Sequence, residues 1–234
     1  MQYLGSKRRI AKCILPIILS GRKDNQWYVE PFCGGCNSID KVTGNRLAND
    51  SNIYLIELFK ALQNGWTPPS EVSEDFYIQV KANKEQFHPA LVGFIGFNCS
   101  FGGNFLNSFA RNTSSRNYAE VGKRNLFKQL PAIKDVLFTC GEYKEMSIPA
   151  NSIIYCDPPY VNTAKYKQCG NFDKKEFLEW CVTKVLEGHT VFVSEYSIYH
   201  PNFKLVFEKE LTCNIDNKNK RISTKIERLY KVEL

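Results

Sequence analysis

The sequence predicts an α/β fold, a mainly parallel sheet covered by helices. Short β-forming runs (WYVE, RLAN, VLFTC, SIIYC, TVFVS) alternate with longer segments of helical period. Glycine, proline and asparagine mark most of the junctions between them. With 234 residues, 43% of them hydrophobic, the chain can bury a core as one domain carrying a small insertion.

The first segment, SKRRIAKCILPIIL, has apolar residues at 10, 13, 14, 17 and 18, one face of a helix that Pro16 should kink or end. WYVE follows as a strand, and PFCGGCNS reads as a glycine-rich turn opening another helix with Asn37 or Ser38 near its cap. After the strand at RLAN, Ser51 is a candidate N-cap for a helix over NIYLIELFKALQNG, in which 55, 58, 59 and 62 share a face and Gly65 marks the stop. From 65 to 122 the pattern loosens into what reads as an insertion of irregular or hairpin structure, rich in glycine, asparagine, aromatics and arginine. Alternation returns with VLFTC and SIIYC. The helix over DKKEFLEWCVTKVLEG is signed by a capping box of Asp173 and Glu176, apolar positions 178, 181, 182, 185 and 186, and Gly188 after its end. TVFVS and two late strands, around KLVFEKEL and KIERLYKV, complete the chain.

Composition excludes several classes. Lys and Arg number 31 against 24 Asp and Glu, a net charge of +7 that favours a polyanionic partner. No run of 18 apolar residues occurs and the start, MQYLGSKRRIAK, is charged, so neither a membrane span nor a secretion signal is expected and the protein is placed in the cytoplasm. Nine cysteines scattered through apolar runs and loops suit reduced thiols. The CGGC pair, Cys33 and Cys36, lacks a second CxxC, and His88, His189 and His200 are far away in sequence, so no metal site is expected.

Two stretches carry chemistry. In VEPFCGGCNS the glycines let a ligand approach the backbone of a turn beyond a strand. Asp50 ends the next strand, where a carboxylate can accept both hydroxyls of a ribose. The spacing is not GxGxxG, and GxxxxGK[ST] is absent. In SIIYCDPPY the prolines hold Asp157 and Pro158 outside the helical region and remove two strand donors. What remains is a stiff acceptor cluster, the Asp157 carboxylate and the Pro158 carbonyl, beside the Tyr160 ring. It suits a planar group with an exocyclic amine.

These residues resemble those of the DNA adenine N6-methyltransferases. SIIYCDPPY is similar to their catalytic motif, YVEPFCGGCNS to their S-adenosylmethionine loop, YLGSKRRI to their N-terminal lysine motif, and LANDSN to the segment bearing the ribose carboxylate. TVFVSEY and KIERLYKV resemble their late strands, and the likeness runs in order from residue 3 to about 231. The resemblance implies a Rossmann-like methyltransferase fold with helices on both sheet faces, built from 1–64 and 123–234, with 65–122 as an inserted target-recognition region. It implies Asp157, Pro158 and Tyr160 as the catalytic pocket, and Tyr3, Lys7, Glu30, Phe32, Gly34, Asp50, Glu142 and Asp157 as the residues around S-adenosylmethionine. Glu142 departs from the pattern, standing where aspartate is more usual. Asn104, Arg111, Arg116 and Tyr118 are the candidates for contacting double-stranded DNA. A monomer in a bacterial or phage-infected cell is expected. Cytosine N4, an RNA base or a protein glutamine amide are alternative acceptors, although the aspartate of DPPY favours adenine, and a non-catalytic DNA-binding protein keeping the fold is the alternative outside enzymes.

Overall fold

The structure, a computed structural model, describes residues 1–113, 116–159, 172–216 and 221–234. In chain order its elements are a 3-10 turn Lys7–Arg9, α1 (Ala11–Ile18), β1 (Tyr28–Glu30), a 3-10 turn Ile39–Lys41, β2 (Arg46–Asp50), α2 (Ile53–Gln63), α3 (Glu74–Ala82), α4 (Pro89–Asn98), α5 (Tyr118–Ile133), β3 (Leu137–Cys140), β4 (Ile153–Cys156), α6 (Lys174–Leu186), β5 (Thr190–Glu195), β6 (Phe203–Asp216) and β7 (Arg221–Val232). They fall into two compact units, Met1–Lys12 with Pro31–Ser147 and Cys13–Glu30 with Ile148–Leu234.

In the first unit β2 and β3 pair in parallel, Leu47 opposite Leu137 through to Asp50 opposite Cys140. Leu55, Ile56, Leu58, Phe59 and Leu62 of α2 are buried, as the helical period predicts. In the second unit β1 pairs in parallel with β4, and β4 with β5. β7 then pairs antiparallel with both β5 and β6, with bulges in the β6–β7 ladder between Leu205 and Phe207 and between Asn214 and Asp216. The fold class is therefore the expected one, α/β with mainly parallel strand pairing. No described helix is long and apolar enough to cross a membrane.

Several local expectations are corrected. Residues 65–122 are largely helical, with α3 and α4 whole and the first turns of α5. α4 hides from a periodicity search because PALVGFIGFN is buried on every side, from Ala90 and Val92 to Asn98. His88 caps it by accepting the Ala90 N–H on Nδ1 at 3.2 Å, and Pro89 holds the first position. Where a hairpin was expected, the described residues form two isolated antiparallel bridges, Ser100 to Phe109 and Thr113 to Arg116. The glycine turn leads into the single 3-10 turn Ile39–Lys41 rather than an α-helix. The N-cap of α2 is Asn52, not Ser51, because its Oδ1 accepts the N–H groups of both Tyr54 and Leu55. In α6 the buried residues are Phe177, Trp180 and Cys181, while Leu186 is exposed. Pro16 lies inside α1, which ends two residues later at Ile18.

Candidate active site

The first unit builds a cradle from the glycine turn and the end of β2. Gly34 adopts φ +47° and Cys36 φ +55°, left-handed values that reverse the chain within a few residues. The Gly34 N–H donates to Asp50 Oδ2 at 3.0 Å, and the Asn52 N–H donates to Asp50 Oδ1 at 3.0 Å. One carboxylate thus ties the turn to the start of α2. Charge-assisted hydrogen bonds of this kind contribute roughly 1.5–3 kcal/mol each. The Cys33 N–H also donates to the Asn49 carbonyl at 2.8 Å, fixing the turn against β2.

Aromatic rings wall the cradle. A β-carbon at Gly34 would lie 2.7 Å from the Tyr3 ring, and one at Gly35 2.7 Å from Tyr3 Cβ, so only glycines let Tyr3 lie against the turn. Tyr3 meets Phe97 with ring centroids 5.4 Å apart, Phe97 meets Phe105 at 4.8 Å, and Phe105 stacks on Tyr54 of α2 at 5.7 Å. Phe32 and Tyr143 pair at 5.2 Å. Lys7 is buried and Glu142 is exposed. The donor set fits the group implied by the sequence: a carboxylate with capacity for about four hydrogen bonds suits a ribose diol, and aromatic faces suit an adenine ring and a cationic sulfonium.

Asn49 and Gln129 are supporting residues that the sequence did not reveal. Asn49 Nδ2 donates to the carbonyls of Pro31 and Gly141 at 3.2 and 2.9 Å, while its Oδ1 accepts from Thr139. Gln129 Nε2 donates to the carbonyls of Gly35 and Cys36 and to Asp40 Oδ2 at 3.0–3.1 Å. A buried asparagine next to the strand-ending Asp50 was the available signal for Asn49. For Gln129, on the buried face of α5, there was none short of the fold.

The second unit carries the acceptor cluster. β4 ends at Cys156, and Asp157 follows half-buried with Pro158 and Pro159 buried behind it. Glu30, at the end of β1, is buried and its Oε1 accepts the Tyr28 hydroxyl at 2.9 Å. The Tyr155 hydroxyl bonds Ser194 Oγ at 2.8 Å. Burial, and then the neighbouring Glu30 charge, pushes the Tyr28 phenol well up; burial and then Asp157 do the same to Tyr155. Tyr160 lies outside the described residues.

The candidate DNA-contacting residues belong to the first unit but do not form one cluster of free cations. Arg111 forks onto Glu74 through Nε at 3.1 Å and Nη2 at 2.8 Å, and the Arg116 guanidinium lies 4.6 Å from the centre of the Tyr118 ring. Asn104 caps a 3-10 turn over Phe101–Gly103. No group of three or more His, Cys, Asp or Glu that could hold a metal ion occurs among the described residues.

A family model described as D12 class N6 adenine-specific DNA methyltransferase matches residues 3–224. The chain is 26% identical over 209 residues to the type II methyltransferase M.FokI of Planomicrobium okeanokoites, which covers 77% of this chain and 31% of that protein. It is 26% identical over 211 residues to the modification methylase StsI of Streptococcus sanguinis, with the same two coverages, 77% and 31%. The chain thus spans less than a third of the length of these curated relatives. Among solved structures, the putative methyltransferase yhhF from Escherichia coli aligns with 99% of this chain and 89% of its own, at 10% identity and a TM-score of 0.39. The 23S rRNA methyltransferase ErmE aligns with 98% of this chain and 69% of its own, also at 10% identity and a TM-score of 0.39.

Proposed function

This chain belongs to the D12 class of N6 adenine-specific DNA methyltransferases, and from that premise we propose that it transfers a methyl group from S-adenosylmethionine to N6 of an adenine at a specific site in double-stranded DNA. The observation that carries the reading is the family match over residues 3–224, which takes in both the glycine turn and the strand-ending Asp157–Pro158 step. The similarity to a type II methyltransferase and a modification methylase supports the same reaction.

Bound S-adenosylmethionine supplies an electrophilic methyl group on a cationic sulfur. Asp50 would hold its ribose, Tyr3, Phe32 and the Gly34 backbone would line it, and Lys7, Glu30, Glu142 and Asp157 would complete its surroundings. The adenine amine is a poor nucleophile because its lone pair is delocalised into the ring. Accepting its two N–H groups on the Asp157 carboxylate and the Pro158 carbonyl would favour a tetrahedral nitrogen. The carboxylate would also offset the positive charge that develops there during transfer. Two prolines fix the direction of both acceptors before substrate arrives, which is the positioning such a step needs.

An adenine in a duplex must leave the stack to reach these groups, at a few kcal/mol, and Tyr160 is the proposed face against which it rests. Residues 65–122 would read the target, with Asn104, Arg111, Arg116 and Tyr118 in contact with DNA. A monomer acting in the cytoplasm of a bacterial or phage-infected cell goes with this reading. The test is tritiated methyl transfer to unmethylated duplex DNA, followed by mapping of the modified base. Wild type should label N6 of adenine, and Asp157→Ala should lower turnover by at least about 100-fold with the far-ultraviolet circular dichroism unchanged. Label on cytosine, or near-normal turnover by a folded Asp157→Ala protein, would refute the assignment.

A further inference from the structure

We propose that the buried hydroxyl pair of Tyr155 and Ser194 positions Asp157 for methyl transfer, by cross-linking β4 to β5 just below the turn where the prolines end the backbone ladder. The proposal rests on the reading above that Asp157 accepts the adenine amine.

β4 and β5 pair in parallel from Ile153 opposite Thr190 to Cys156 opposite Val193. One further step of that register sets Asp157 level with Ser194. Side chains alternate along a strand, so Ile153, Tyr155 and Asp157 lie on the face that also carries Thr190, Phe192 and Ser194. β1 enters the same register with Tyr28 opposite Ile153, which adds Tyr28 and Glu30 to that face.

This face should be apolar, and it is not. Tyr28 is 0% exposed, Glu30 3%, Tyr155 2% and Ser194 0%. A ring without a hydroxyl is accommodated there, since Phe192 is buried on it. Phenylalanine and alanine would therefore fill the places of Tyr155 and Ser194 without burying two oxygens. The two are bonded to each other at 2.8 Å, across the strands, so neither oxygen is stranded.

The need for such a cross-link comes from the next residues. Pro158 and Pro159 have no N–H, so β4 cannot continue its ladder beyond Cys156, and the strand end carrying Asp157 would be held only from below. A side-chain bond from the last residue of β4 on this face to the residue of β5 level with Asp157 supplies the missing constraint. The pair also holds two protons and needs one for its own bond. Whichever oxygen donates, one O–H is left over for a further acceptor. Burial first, then the Asp157 charge, keeps the Tyr155 phenol protonated, so the pair keeps both protons across the working pH range.

The test is steady-state methyl transfer by the full chain carrying Ser194→Ala, Tyr155→Phe, both together, or Ser194→Thr. Each single loss should lower kcat about tenfold, as expected for a misplaced acceptor, and leave KM for DNA and for the methyl donor within about twofold. The double variant should be no slower than the singles, and Ser194→Thr, which restores the hydroxyl, should recover most of the rate. A hydroxyl pair serving stability alone would lower the melting temperature and leave kcat in place. Tyr155→Phe removes a single oxygen and keeps the ring, so it carries the test even if Ser194→Ala does not fold. Singles with wild-type kcat, a raised KM at unchanged kcat, additive losses in the double variant, or no recovery by threonine each overturn the positioning role. Wild-type protein that methylates no adenine overturns the functional reading instead.

Discussion

Replacing Gly34 by alanine tests the construction of the glycine turn. Two terms act together. The residue sits at φ +47°, where any side chain adds about 1–2 kcal/mol. The new β-carbon would lie 2.7 Å from Tyr3 Cε1 and 3.0 Å from Cζ. Carbon atoms in comfortable contact stay about 3.5–4.0 Å apart, so the ring must give way. Tyr3 is braced by Phe97 at 5.4 Å, and displacing a packed ring adds about 1–3 kcal/mol. The sum is about 3 kcal/mol, read as a lower urea midpoint at unchanged slope. Gly65→Ala is the control, because Gly65 has φ +86° and nothing within 4 Å of its would-be β-carbon. It should lose only the conformational share, about 1–2 kcal/mol. In a Tyr3→Ala background the excess at Gly34 should disappear. A Gly34→Ala protein no less stable than Gly65→Ala would show that Tyr3 does not press on the turn, and the cradle described above would be wrong. The same variant should bind S-adenosylmethionine more weakly by calorimetry, since the Gly34 N–H to Asp50 bond moves with the backbone.

Arg111→Gln should change stability by less than about 1 kcal/mol, because the ion pair with Glu74 is exposed. If Arg111 meets a phosphate, the same change lowers the slope of log binding constant against log salt by about 0.9, and an unaltered slope removes it from the DNA contacts. His189 gives a pH signature. Burial lowers its pKa from the ordinary 6.5, so below that value the unfolded chain binds more protons than the folded one. Its contribution is full above pH 6.5 and is lost progressively as pH falls below it. His189→Gln should flatten that part of the stability profile between neutral and mildly acidic pH, and equal acid sensitivity in both proteins would refute the sign.

Sequence reading succeeded where one physical signal dominated. Alternating strand and helix patterns located β1 to β7, α2 and α6, and the Asp173 cap is formed as read, accepting the N–H groups of Lys175 and Glu176. It failed at α4, where burial on all sides erases the amphipathic stripe on which a periodicity search depends. The N-cap of α2 was missed by one residue because Ser51 and Asn52 are both capping types, and only the side-chain geometry distinguishes them. The turn at Gly34, the end of β2 at Asp50 and the stop of β4 before the prolines were legible because each is set by local sequence. Asn49, Gln129 and Ser194 were not, since their bonds to Gly141, Gly35 and Tyr155 join residues far apart in the chain. Nor does composition tell a free arginine from one already engaged, and Arg111 is engaged by Glu74.

The column of rings from Tyr3 through Phe97 and Phe105 to Tyr54 bears on how this chain can be engineered. Phe97 and Phe105 lie within 65–122, the stretch proposed above to read the target, whereas Tyr3 and Tyr54 lie outside it. A chimaera made at 65 and 122 would therefore import two foreign side chains into the scaffolding behind the glycine turn, the proposed donor site. Altered affinity for the methyl donor, rather than altered target choice, would be its first symptom, and the remedy is to carry positions 3 and 54 over with the graft.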